Sequence, residues 1–230
     1  MPTSSSIDLN LTAQEIITYA LRLINICAQT EEPSANDSER ARVELNMMLK
    51  DWQRYEHIWR QTEGYVSILH NTQGYSLTPR PYRIHSVRYR NSSALDTPMT
   101  QMTRDQYYNL PDKASEGTST TWFFDPQRDS DSLWVWPVFA TDGGSALTYR
   151  VTYQRRFEDV DTLTENVDIT QSYLGVVGYN LAARLADSYG RSGGHIDRII
   201  ARAEQLKEEM LDDDREDFIQ FVPDMTAYGR

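Results

Sequence analysis

Apolar residues recur at helical spacing near the start of the chain. Ile16, Ile17, Ala20, Leu21, Ile24 and Cys27 fall on one face and predict a first helix. Thr12 stands at its N-cap with Glu15 three residues on, the spacing of a capping box. "AQTEEPSAND" then breaks the pattern, and Ser34 or Asn36 can cap a second helix. In that helix Ala41, Leu45, Met48, Leu49, Trp52 and Tyr55 make the apolar stripe. Two such helices joined by a short loop predict an antiparallel hairpin.

From about His57 the period changes. "GYVSIL", "YSL", "YRIHSVRYR", "TTWFF", "LWVWPVF" and "ALTYRVTYQRRF" are short runs rich in Tyr, Val, Ile, Thr and Trp, separated by turn-forming clusters. Alternation puts Tyr82, Ile84, Ser86 and Arg88 on one side of a strand and Arg83, His85, Val87 and Tyr89 on the other. Leu147, Tyr149, Val151 and Tyr153 share a face in the same way. In "LWVWPVF" both faces are apolar, Trp134 and Trp136 on one and Leu133 and Val135 on the other. That pattern marks a strand covered on both sides, ended by Pro137. Five or six mostly antiparallel strands are expected, interrupted by a short helix in "MTRDQYYNLP" capped by Thr103.

Helical spacing returns near Thr170. Leu174, Val177, Leu181, Leu185 and Ala186 lead to a stop at Gly190. Ile196, Ile199, Ile200, Ala203, Leu206 and Met210 form the inner side of a last helix. The expected class is therefore α+β: a four-helix core made of two antiparallel hairpins, an antiparallel β-module inserted between them, and an extended C-terminal tail. The expected divisions are 1–56 for the first hairpin, 57–165 for the β-rich module, 166–211 for the second hairpin and 212–230 for the tail. In that tail an acidic patch precedes Phe218, Ile219, Phe221, Val222 and, further on, Tyr228. Spaced apolar residues behind acidic ones suit an arm that docks on a partner.

Composition narrows the chemistry. No apolar run approaches the roughly 20 residues that span a bilayer, and the first residues lack the basic and apolar regions of a secretory signal, so no membrane role is expected. The net charge of −11 opposes tight binding to nucleic acid. Only Lys50, Lys113 and Lys207 are lysines among 23 basic residues, a bias toward the planar guanidinium that is enriched at protein interfaces. The one cysteine allows no intrachain disulfide and is expected to be a buried structural thiol.

His57, His70, His85 and His195 make no close pair of metal-ligand spacing, so no metal is expected. Asp125, Asp129 and Asp131 alternate as in a calcium loop, but the central glycine and distant glutamate are missing, and a polar hairpin is expected. Gly175 and Gly178 lie inside a helical pattern and suit close helix packing. No phosphate loop, nucleophile elbow or fixed acid–base pair is present, so neither a catalytic residue nor a cofactor is expected.

An ordered series of stretches covers most of the chain: "LTAQEIITYALRLINICAQTEEPSANDSERARVELNMMLKDWQ", "RDQYYNLPDK", "WFFDPQ", "LWVWPVF", "LTYRVTYQRRFED" and "GYNLAARLADSYG". The series resembles the head-to-tail adaptors of tailed bacteriophages, the podovirus tail accessory factor family. The resemblance implies a non-enzymatic virion protein at the head–tail junction, assembled in the host cytoplasm. Its implied partners are the portal protein, tail or nozzle proteins and further copies of itself in a ring, commonly twelve-fold. Such a ring would extend the channel for passing double-stranded DNA without reading its sequence. The tail residues from Phe218 to Tyr228 would then face the portal. Two other readings stay open at the level of sequence. One is a virion-associated peptidoglycan hydrolase; the other is a carbohydrate- or nucleic-acid-binding β-module using Trp134 and Trp136.

Overall fold

The computed structural model describes residues 9–128, 130–144 and 146–213. It is mixed α+β, with five helices and two four-stranded sheets. Helix α1 (Ala13–Leu23) starts at the capping box read from sequence: Glu15 N–H donates to Thr12 Oγ1 at 3.3 Å, and Thr12 N–H donates to Glu15 Oε2 at 2.8 Å. It ends sooner than its apolar face suggested. Asn25 takes a left-handed φ of 55°, while the Asn25 and Ile26 N–H groups bond back to the Arg22 and Leu21 carbonyls. Cys27 therefore lies beyond the helix, and it is half-buried rather than buried. Helix α2 (Ala35–Trp52) is capped by Ser34 and buries Ala41, Leu45, Met48, Leu49 and Trp52. Tyr55, expected on this stripe, falls after the helix end and is exposed.

The chain then builds the sheets. The first has the order β1 (Gln61–Ser67), β8 (Thr148–Arg155), β3 (Pro81–Arg90), β4 (Asp96–Pro98). The second has the order β2 (Gly74–Tyr75), β7 (Asp131–Trp136), β6 (Thr121–Pro126), β5 (Thr100–Gln101). The described residues form eight strands, not five or six. The additional β4 and β5 are edge pieces of three and two residues, too short to show a period. β5 runs parallel to β6, and every other pairing between these strands is antiparallel.

The simple alternation read for β3 fails at one point. Ile84 and Val87, predicted on opposite sides, are both buried in the same cluster. Irregular pairing with β8 between Ile84 and Ser86 inserts one residue and returns Val87 to the core side. β8 alternates as expected, with Tyr149, Val151 and Tyr153 almost fully buried. Those side chains meet Leu133 and Val135 of β7 and Tyr75 of β2, so the two sheets share one buried cluster. Tyr75 and Tyr149 contact edge to face at 5.3 Å across it. Tyr149 OH closes its polar end with Ser119 Oγ at 2.6 Å.

Helix α3 (Arg104–Tyr108) is capped by Thr103 and lies over β6 and β7. Helix α4 (Leu174–Ser188) ends at Gly190, whose φ of 61° permits the reversal into α5 (Gly194–Asp213). Ile196, Ile199, Ala203 and Met210 of α5 are buried, but Ile200, expected beside them, is exposed. A second large cluster draws from α1, α2, α4 and α5, together with Phe157, Val160 and Val167 from the segment after β8. That segment is held along α2: Lys50 Nζ donates to the Phe157 carbonyl at 2.7 Å, and Asn46 both donates to and accepts from the Val160 backbone. It then meets the chain's beginning, where Ala13 and Gln14 donate N–H bonds to the Glu165 and Leu163 carbonyls at 2.8 and 2.9 Å.

Candidate functional site

The junction between helices and sheets is built from arginines. Arg60 sits in a short 3-10 turn (Ile58–Arg60) between α2 and β1, and it is fully buried. Its guanidinium lies 4.0 Å from the Phe157 ring centroid and donates to the Gln53 and Arg155 carbonyls. Burial, then the like charge of Arg155, draws its pKa down to about 10, and Asp168 opposes the shift.

Arg155, at the end of β8, grips Asp168 with both terminal guanidinium nitrogens, Nη2 to Oδ1 at 2.7 Å. The same carboxylate accepts the Glu158 N–H at 3.1 Å. Asp131 of β7 receives Arg80 at 2.8 Å and Arg156 at 3.1 Å, tying the second sheet to the segment after β8. Gln53 joins in from the end of α2, its side chain accepting the Phe157 N–H at 3.2 Å.

A cleft of about 430 Å³ opens beside this junction, lined by Gln53, Tyr82, Arg83, Gln101, Phe124 and Arg156 among others. None of its described lining residues is a carboxylate, a histidine or a thiol. Arg83 pairs with Glu56, and Arg156 pairs with Asp131. The arrangement is suited to holding the helices and sheets in register. Nothing in the local sequence "HIWRQT" marks Arg60 as buried, because its neighbours arrive from residues 53, 155 and 157.

Each residue singled out from sequence now has a place. Trp134 and Trp136 lie half-buried on the outer face of β7, under α3. Tyr107 meets the Trp134 ring at 5.5 Å, and Trp136 Nε1 donates to the Asp112 carbonyl at 3.0 Å. Leu133 and Val135 face the other sheet. Asp125 and Asp131 stand on adjoining strands, and each carboxylate is taken by arginine, Arg104 for Asp125. Asp129 lies outside the described residues. Among the described residues no three His, Cys, Asp or Glu side chains are grouped to hold a metal ion.

Burial raises the Cys27 thiol above its usual range, which keeps it protonated at neutral pH. No described helix is long and apolar enough to cross a membrane. Much of the arginine expected at subunit interfaces works inside the chain, as with Arg42 on Glu39, Arg90 on Asp96 and Arg184 on Asp51. Phe218, Ile219, Phe221, Val222 and Tyr228, the residues assigned to a docking tail, lie outside the described residues.

No protein-family model and no curated protein matches the chain. Solved structures do show similarity. A chain in the neck of a native gene transfer agent (GTA) particle, computed with C12 symmetry, is 10% identical over 83% of this chain and 93% of its own, with a TM-score of 0.27. A chain in the virion of a native GTA particle is 8% identical over 95% of this chain and 97% of its own, with a TM-score of 0.32. A chain in the neck of an empty GTA particle, computed with C6 symmetry, has 10% identity and a TM-score of 0.30. These are likenesses to components of gene transfer agent particles, and at such scores they carry no argument about what this chain does.

Proposed function

We propose that the chain is a non-enzymatic head-to-tail adaptor of a tailed phage particle. In this reading its copies form a ring, twelve-fold by the family pattern, between the portal and the tail proteins. The observation that carries it is the ordered series of stretches resembling the adaptor family. The stretches fall on successive elements: the opening on α1 and α2, "RDQYYNLPDK" on α3 and the turn after it, "WFFDPQ" on β6, "LWVWPVF" on β7 and "LTYRVTYQRRFED" on β8. "GYNLAARLADSYG" falls on α4 and its stop.

The reading takes α1 with α2, and α4 with α5, as two hairpins of one core, with the β-module inserted between them. The bonds of the arginine junction tie the proposed module to the proposed core, as would suit a stacked ring component. A net charge of −11 suits a channel wall past which DNA slides. The tail residues Phe218, Ile219, Phe221, Val222 and Tyr228 are assigned to the portal contact.

The test is assembly. Purified portal added to the full chain should convert it into portal-bound rings, counted by native mass spectrometry and seen by electron microscopy. Unchanged masses and bare portal particles would overturn the reading.

A further inference from the structure

The exposed face of α5 carries opposite charge at its two ends. His195, Arg198 and Arg202 rim one hollow, and Glu209 and Asp213 rim another. Their spacing of three, four and seven residues places all five on the same side of the helix. The basic hollow measures about 260 Å³ and has Leu23, Tyr179 and Ile199 as its apolar walls. The acidic hollow measures about 330 Å³, with Tyr173, Val176, Leu206 and Met210 as its walls. Both lie along the seam between α4 and α5.

This charge order works against the helix that bears it. A helix N-terminus favours anions and a C-terminus favours cations. α5 places Arg198 in its second turn and Arg202 in its third, with Asp197 as the acid of the first turn, and has no basic residue in its last turn. Among the described residues, Gln205 donates to Glu209 at 2.7 Å and His195 Nε2 lies 2.8 Å from the Leu23 carbonyl oxygen. Arg202 reaches Glu209 only at 3.9 Å, and Asp213 accepts from Tyr173 OH at 3.1 Å. Arg198 donates to its own helix at the Gly194 carbonyl and meets no carboxylate among the described residues.

We propose that two copies of this chain pair through this face, antiparallel and about a two-fold axis. Because both ends lie on one face, turning one copy over matches each basic hollow to the other's acidic hollow at once. A parallel arrangement would set like charges together. The face runs the length of α5, about 30 Å, and belongs to the small, weak class of protein interfaces. The pairing describes the free protein and does not depend on the adaptor reading.

The experiment is sedimentation velocity on the full chain without portal, from micromolar to sub-millimolar concentration, at low and high salt. A dimer is expected at low salt and should weaken at high salt, since exposed charges are screened. The charge reversals R198E/R202E and E209R/D213R should each weaken dimerisation by about tenfold or more. An equimolar mixture of the two variants should recover a dimer of mixed mass. Circular dichroism confirms that each variant is folded, and R198Q/R202Q serves if the reversal is not. A wild-type protein that stays monomeric throughout would overturn the proposal. So would reversals that leave the dimer unchanged, a mixture that fails to pair, or a larger closed assembly lost in the same variants.

Discussion

Gly178 of α4 packs against Tyr19 of α1 so closely that a Cβ at 178 would stand 2.8 Å from the Tyr19 ring. Nearby, Tyr19 and Tyr179 meet edge to face at 6.1 Å. Gly178→Ala is therefore expected to destabilise the protein by about 1–3 kcal/mol, the range for overpacking a close contact. Gly175, one turn earlier, has nothing within 4 Å of the same added atom. Gly175→Ala should stabilise by about 0.5–1 kcal/mol through helix propensity alone. Urea unfolding of both variants checks the opposite signs.

Removing the Asp168 carboxylate leaves Arg155 unpaired beside the buried Arg60. Asp168→Asn is expected to cost about 2 kcal/mol or more, below the full penalty of a broken buried pair because both partners keep some exposure. The double change Arg155→Met with Asp168→Leu should cost less than the two single changes summed, because it removes both charges together. A double-mutant cycle by chemical denaturation measures the coupling, and additive costs would reject it.

The five tryptophans should separate by role in the fold. Trp122 is only 2% exposed and donates its Nε1 to the Met99 carbonyl at 3.3 Å. Trp122→Ala is expected to cost about 3–5 kcal/mol, as for other fully buried aromatics. Trp134→Ala, on the half-covered face, should cost clearly less. Differential scanning calorimetry of the two variants tests the order. Equal losses would mean that α3 seals its face as tightly as the sheets seal theirs.

Acid should weaken the fold in a defined window. Hydrogen bonds hold several carboxyls below their usual range: Arg184 for Asp51, Ser34 and Tyr189 for Asp37, and the Thr162 and Asp161 N–H groups for Glu165. A folded-state pKa below the unfolded one means that the unfolded chain takes up protons first. This part of the stability is present above about pH 4.5 and is lost as pH falls through the folded values. Melting temperature measured from pH 7 to pH 3 should fall across that window, and Glu165→Gln should flatten part of the decline.

Sequence revealed what local physics decides. The caps at Thr12, Ser34 and Thr103, the stop at Gly190 and the buried run Tyr149, Val151, Tyr153 each depend on residues a few positions apart. What stayed hidden depends on partners far along the chain. The irregularity between Ile84 and Ser86 is set by β8, and β4 and β5 form only as edges of strands already in place. The burial of Arg60 needs Phe157 and the Arg155 carbonyl, almost a hundred residues away. Asn25 carries a local signal of its own: it is well suited to a left-handed helix end, and it stops α1 before Cys27.

The bonds from Ala13 and Gln14 to Glu165 and Leu163 bear on how the protein is made. α1 finds its buried neighbours on α4, whose residues leave the ribosome long after its own. Until then the side of α1 bearing Ile16, Ile17 and Leu21 has only α2 and the segment after β8 to cover it. Nascent chains halted before residue 174 would keep this surface open to chaperones, and full-length release would close it. Late closure over so long a loop is also a slow step for the free chain.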